Sequence, residues 1–176
     1  MGRKLVILLL GLVAFGTISA QELFFDGELS THFDNTEYTG SGIGDSRTVF
    51  AVRLIPTLGY RFDKNHSVVI GAELLKDFGS HKFMDDTKFV AYYQFENEKY
   101  GANAGIFQRN KLIGNYSRAF FSDAYHIYNP LVQGIAMRHT GCSGFAELVV
   151  DWDGLYSPEV REKFRILLSG GGNFAK

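Results

Sequence analysis

The sequence contains a single cysteine, Cys142, and this scarcity excludes an internal disulfide and a metal cluster built on several cysteines. An excess of charge of one sign is also lacking, since 18 Lys and Arg residues nearly balance 19 Asp and Glu residues. A basic surface for nucleic acid would need such an excess. We therefore predict no nucleic-acid partner, no metal and no cofactor.

Long hydrophobic runs are lacking as well. The longest one, at residues 5–15, is too short to cross a membrane as a helix. It follows Arg3 and Lys4 and is succeeded by small residues up to Ala20, which is typical of a cleavable secretory signal. We predict a signal peptide over residues 1–20 and one domain over residues 21–176. A secreted chain that is rich in glycine and aromatic residues and has no spanning helix is expected to be an all-β envelope protein.

Alternation of apolar and polar residues is what the chain does contain. In residues 50–74, even positions of the extended runs are apolar, whereas Arg53, Arg61 and Glu73 occupy odd positions. A strand with lipid on one side and a hydrated interior on the other has this pattern. Seven stretches show it, at 23–33, 48–62, 67–78, 87–96, 100–109, 145–152 and 163–170.

The connections between these stretches alternate in length. Residues 34–47, 79–86 and 110–144 form the first, third and fifth connections, which we place on the outer side, and the tight turns 63–66 and 97–99 and the moderate connection 153–162 alternate with them on the periplasmic side. Short periplasmic turns with long outer loops are expected of a barrel in the bacterial outer membrane. The predicted fold is therefore an antiparallel up-and-down transmembrane β-barrel.

The count of strands is odd, although single-chain bacterial barrels have an even number. Residues 169–176, SGGGNFAK, are too few and too glycine-rich to form another strand. Either one strand is missed or the chain is the N-terminal part of a longer barrel. The length of residues 110–144 favours the second interpretation.

Residues 110–144 are too long for an unstructured hairpin loop. Residues 117–128 have helical spacing, which Asn129 and Pro130 would end. In strand order and loop position the chain resembles the porin-like family of Gram-negative outer-membrane barrels, in which the corresponding loop narrows the channel. The resemblance implies four constriction-loop residues: Arg118, Asp123, His126 and Arg138.

The same resemblance implies a passive channel for small hydrophilic solutes, embedded in outer-membrane lipid, and not an enzyme. A true porin would also be a homotrimer. Charged side chains on opposite walls would select solutes by size and charge. The expected pore-lining residues are Arg53, Arg61, Glu73, Lys88, Asn103, Arg109, Glu147, Asp151 and Arg165.

Three other functions are compatible with the sequence. The barrel could be a non-conducting structural or adhesive protein, or the chain could be a soluble envelope protein. A hydrolase could use His126, His139 and Ser143 with Asp123, although no nucleophile-elbow motif surrounds Ser143. Cys142 with His139 is a weaker nucleophile pair.

Pro56 provides a local test of the strand prediction. It lies in the middle of the stretch 48–62 and has no backbone N–H for the ladder. We therefore predict a bulge or a local break in pairing at this residue.

Overall fold

The structure is a computed structural model that describes residues 22–36, 47–117, 121 and 123–172. Eight antiparallel strands form one sheet in which each strand pairs with the next along the chain. They are β1 (Glu22–Thr36), β2 (Arg47–Arg61), β3 (His66–Asp77), β4 (Asp86–Glu96), β5 (Tyr100–Gln108), β6 (Leu131–Gly141), β7 (Gly144–Gly154) and β8 (Lys163–Gly172).

All seven predicted stretches are strands, and the strand missing from the prediction is β6. Its two faces are poorly separated by polarity. The outward parity includes Gln133 and His139, whereas the buried positions are Val132 and Ala136. The odd count was therefore a miscount, and it no longer supports a truncated barrel.

The added strand also corrects the placement of the last connection. Residues 142–143 form a tight turn between β6 and β7, so residues 155–162 lie at the same end as the longer connections. We call this end, at which β1, β3, β5 and β7 finish and which carries 78–85 and 155–162, the loop end. The opposite end, with 62–65, 97–99 and 142–143, is the turn end. The prediction that 153–162 lies with the short turns was wrong.

The two faces of the sheet differ in exposure. Large apolar side chains remain exposed on the outer face, among them Leu29, Phe89 and Ile166. Apolar residues of the inner face from β2 to β8 pack into one cluster that includes Ile55, Val69, Val90, Phe107, Val132, Val149 and Leu167. Full burial stabilises each such side chain by about 1.5–3 kcal/mol. The sheet therefore curls around a common core.

The curled sheet does not close among the described residues, since no ladder joins β1 to β8. Each of these two strands consequently has one edge without a backbone partner strand. Of the helices that the structure describes, none has the length and hydrophobicity that a membrane-crossing helix requires.

Pro56 interrupts one of its two ladders. On the β1 side it is paired with Gly27. On the β3 side pairing stops after Leu54 and resumes at Thr57 in the same register. The predicted local break is confirmed there, without a bulge. Among the described strands, the one register irregularity lies instead in the β7–β8 ladder, between Trp152 and Gly154.

Candidate functional site

The described residues of 109–130, which are 109–117, 121 and 123–130 and which we call the inner segment, fold against the inner face of the sheet. The segment begins with a 3-10 turn at Arg109–Lys111 and contains one helix, α1 (Asp123–Tyr128). The predicted helix and its end before Pro130 are confirmed, although the helix is shorter than residues 117–128. Phe121 of this segment is 2% exposed and belongs to the common core.

Two cations of the sheet hold the C-terminus of α1. Arg53 donates to the carbonyl oxygens of His126 and Ile127, and Lys88 Nζ donates to the carbonyl of Tyr128 at 3.0 Å. The last carbonyls of a helix accept hydrogen bonds from outside it, and the negative end of the helix dipole attracts cations. The contacts anchor α1 at the loop end of the interior.

Both cations are paired with the same carboxylate. Glu73 is fully buried, and its Oε1 lies 3.1 Å from Arg53 Nε. Its Oε2 lies 3.1 Å from Lys88 Nζ, a distance typical of an ion pair, although the angle does not make a hydrogen bond. Glu73 therefore links β2, β4 and, through them, α1.

A second buried ion pair anchors the start of the inner segment. Arg109 Nη2 donates to Asp151 at 2.9 Å and to the carbonyl of Leu131 at 2.8 Å. Its guanidinium carbon lies 4.6 Å from the centre of the Phe121 ring, which adds a cation–π contact. The charge of Arg109 is thus compensated inside the protein.

Arg165 continues this network on β8. It donates to Asp153 at 2.6 Å and to the hydroxyl of Tyr125. Its distance to Asp151 is 3.8 Å, so Asp151 lies between two arginines. The network connects the 3-10 turn at the start of the inner segment with β7, β8 and α1.

Glu147 of β7 holds the middle of the inner segment. Its carboxylate is 2% exposed and accepts from Ile113 N, Gly114 N and Tyr116 Oη at 2.8, 2.8 and 2.7 Å. A Cβ at Gly114 would come within 2.7 Å of Glu147 Oε1 and 2.6 Å of Ser169 Cβ. Only glycine permits this close approach.

The Tyr116 hydroxyl predicts a pH effect. Burial, and secondly the Glu147 carboxylate, raise the pKa of Tyr116 well above its usual range. The unfolded chain loses this proton near pH 10, whereas the folded protein retains it. The contribution of Tyr116 to the free energy of unfolding is thus fully present below about pH 10 and decreases as the pH rises further. Chemical unfolding at several pH values should show this decrease, and it should be smaller in Tyr116→Phe.

Of the nine predicted pore-lining residues, eight lie at inner-face positions of the strands. The ninth, Arg109, directly follows the last residue of β5. Six are buried, namely Arg53, Glu73, Asn103, Arg109, Glu147 and Asp151. Arg61, Lys88 and Arg165 are half-buried. That they line a water-filled path stays a prediction, and the inner segment occupies much of the space between them.

The four predicted constriction residues do not form one group. His126 is on α1, and Asp123 begins that helix, but the structure does not describe the Asp123 side chain. Arg118 lies outside the described residues. Arg138 belongs to β6, not to a loop, and pairs with Glu96.

The hydrolase set considered from the sequence is dispersed. His126 lies at the loop end, whereas His139 and Ser143 lie at the turn end beside Cys142. The ten steps along β6 between these ends correspond to about 33 Å. These residues cannot act on one bond.

A different serine and histidine are in contact. Ser30 Oγ lies 3.2 Å from His32 Nε2, and both residues are half-buried on the inner face of β1. It is the one Ser–His hydrogen bond within the described part of the chain. Residues two apart on a strand lie on the same face of the sheet. The spacing of Ser30 and His32 in the first alternating stretch therefore predicts their contact, which the sequence analysis missed.

A cavity of about 200 Å³ lies at the loop end, and of this pair His32 lines it. Its walls include His32, Arg53, Gln108, Arg109, Asn110 and His126. Asn110 Nδ2 donates to Glu28 Oε2 at 2.6 Å, which fixes the inner segment to β1. A hydroxyl beside an imidazole, next to a cavity, is suited to nucleophilic attack on an ester. No cluster of three potential metal ligands occurs among the described residues.

A model of the lipid A 3'-O-deacylase-type family matches residues 15–174. No curated protein and no solved structure matches the chain. The predicted membership of the porin-like family is therefore wrong, because the matching family is a different one. The prediction that the protein is not an enzyme is also overturned, since this family is described by an enzymatic activity. With a match over nearly its whole length, the chain belongs to the lipid A 3'-O-deacylase-type family.

Proposed function

We propose that the protein is an outer-membrane esterase that removes a fatty acyl chain from lipid A. The observation that carries the proposal is the contact between Ser30 and His32, found beside a cavity in a member of a deacylase-type family. This function replaces solute diffusion, for which the family match gives no support.

The pair can perform ester hydrolysis in two steps. Ser30 Oγ attacks the ester carbonyl while His32 Nε2 takes its proton, and the alcohol leaves with that proton, so that an acyl-serine remains. Water then attacks the acyl-serine and gives a proton to His32, which passes that proton to Ser30 Oγ as the ester bond breaks, so that the fatty acid and free Ser30 are released. The Glu28 carboxylate favours the protonated form of the His32 ring, whereas the Arg53 guanidinium disfavours it.

The surface of the sheet supports a membrane location. Exposed apolar side chains cover the outer face of β1 and β8, including Leu23, Phe25, Leu29, Phe164 and Leu168. Such a face is stable in lipid, where the acyl chains of the substrate lie. Because β1 is an edge strand, Ser30 and His32 lie close to the unpaired margin of the sheet.

The direct test is to incubate the protein, folded in detergent micelles, with purified lipid A and to analyse the lipid by mass spectrometry. We expect a product that lacks one acyl chain, together with the matching free fatty acid. Heat-denatured protein is the control. Unchanged lipid A in the presence of folded protein would refute the proposal.

A non-hydrolysing structural barrel is the second candidate. One observation favours it: within the described residues, no carboxylate is hydrogen-bonded to His32 to orient the ring and stabilise its cation. Such a protein would bind lipid A and leave it intact. Lipid binding without release of fatty acid in the assay above would identify this function.

A further inference from the structure

A larger cavity, of about 540 Å³, lies at the turn end, and we call it the turn-end cavity. It shares no lining residue with the cavity at the loop end that His32 lines. Two consecutive residues of the inner segment line different cavities: Asn110 lines the one at the loop end, and Lys111 lines the turn-end cavity. The inner segment therefore separates the two cavities.

Tyr92 of β4 places a buried hydroxyl on the wall of the turn-end cavity. The residue is 6% exposed, and its ring packs near Phe107 in the common core. The hydroxyl has no hydrogen-bond partner among the described residues, and its oxygen is not enclosed by protein atoms. Since a buried tyrosine hydroxyl usually has a partner, this one is available to a molecule in the cavity.

Lys111 supplies a cation close to this tyrosine. Its Nζ lies 5.5 Å from the centre of the Tyr92 ring. The side chain is half-buried, and within the described part of the chain its ammonium group forms no ion pair with a carboxylate. An ammonium group donates hydrogen bonds and accepts none. Lys111 and Tyr92 together can therefore donate to an anionic acceptor, which gives stronger hydrogen bonds than a neutral one.

The charged residues that line the cavity leave an excess of one cation. Arg61 and Glu96 are each paired with an opposite charge that does not line the cavity. Lys64 and Lys111 then remain against one carboxylate, that of Asp26. A ligand with one negative charge balances this excess, whereas a doubly charged phosphate monoester would exceed it.

We propose that the turn-end cavity binds a small organic carboxylate, whose acidic group accepts hydrogen bonds from Lys111 and Tyr92. The cavity volume is in the range of small-molecule sites, and Phe24 adds an apolar wall that fits an apolar ligand body. Lys64 belongs to the exposed turn 62–65, so the ligand is taken up from water at the turn end. The site is separate from Ser30 and His32 and does not rest on the proposed function.

Isothermal titration calorimetry of the full chain in non-ionic detergent micelles tests this site, with benzoate as the probe. Benzamide has the same ring without the charge, and inorganic phosphate has charge without an apolar body. Each lacks one feature that the cavity recognises, so each should bind at least about 10-fold more weakly than benzoate. Calorimetry measures binding without ester cleavage, so its outcome is independent of lipid A hydrolysis.

Two substitutions test the named residues. Lys111→Gln removes the charge, and Tyr92→Phe removes only the hydroxyl. Each loses a hydrogen bond to a charged group, so the affinity for benzoate should fall at least about 10-fold in each variant. Lys99→Gln is the matched control, because Lys99 is also a lysine at the turn end but lines a different cavity. It should retain the wild-type affinity.

The site is refuted if benzoate does not bind the wild type, or if benzamide or phosphate binds as tightly as benzoate. Wild-type affinity in Lys111→Gln or Tyr92→Phe, or an equal loss in Lys99→Gln, would contradict the assignment as well. Far-UV circular dichroism verifies that each variant is folded. Should the variants not fold, the Cε resonance of Lys111 in the wild type is the readout. It should shift with benzoate and not with benzamide, and an unchanged resonance would overturn the proposal.

Discussion

Replacing Ser30 with alanine is expected to lower kcat for lipid A deacylation at least about 1,000-fold, the scale of losses that follow removal of a catalytic nucleophile. The hydroxyl 3.2 Å from His32 Nε2 is the group that attacks the ester in the proposed mechanism. Alanine removes it and leaves the strand and the cavity unchanged. Release of free fatty acid, measured by mass spectrometry over time, gives the rate.

Ser67→Ala is the matched control. Ser67 is also a serine on the inner face, but it is buried in β3 at the turn end and lines another cavity. Its replacement should leave deacylation unchanged. His32→Ala should resemble Ser30→Ala, because both residues act in the same step and their losses do not add. Full activity in Ser30→Ala would exclude Ser30 as the nucleophile.

The strands could be predicted from the sequence because their pattern is local. Where lipid-compatible and polar residues alternate, the period of two identifies both the strand and its inner face. β6 shows the limit of this reasoning. Its inner face is built from Val132, Gly134 and Ala136, and its outer face includes Gln133, so polarity does not separate the faces.

The porin-like interpretation failed because the sequence does not show what a charged residue contacts. Arg53 and Arg109 have the polarity of channel-lining residues. In the structure they instead pair with Glu73 and Asp151 and donate to backbone carbonyls of the inner segment. A solvated charge and a paired buried charge look identical in a pattern of alternation.

Some contacts of the candidate site could also be predicted from the sequence, and others could not. Ser30 and His32 are two residues apart on one strand, so their contact was accessible to sequence reasoning. The contacts of Glu147 with the inner segment join residues 31–34 positions apart. They depend on how the segment turns back into the sheet, which no periodicity encodes.

The second large effect is expected on stability. Replacing Glu73 with glutamine should lower the free energy of unfolding by about 3–5 kcal/mol, the range found when one partner of a buried ion pair is removed. The Arg53 side chain is 5% exposed and would remain buried without its countercharge. Lys88 would lose the same partner. Because both cations hold α1, we also expect faster proteolysis within residues 109–130. Urea unfolding in detergent micelles measures the first effect, and limited trypsin digestion the second.

Glu22→Gln supplies the control for this prediction. Glu22 pairs with Arg61 at 2.7 Å, a shorter distance than that of the Glu73 pair, but its side chain is 63% exposed. Solvent screens such a pair, so its loss should cost less than about 1 kcal/mol. Equal losses in the two variants would show that burial does not determine the effect.

The double variant Arg53→Met with Glu73→Gln should recover part of the lost stability, because it removes the unpaired charge. If the double variant is less stable than Glu73→Gln alone, the carbonyl contacts of Arg53 with α1 outweigh its charge.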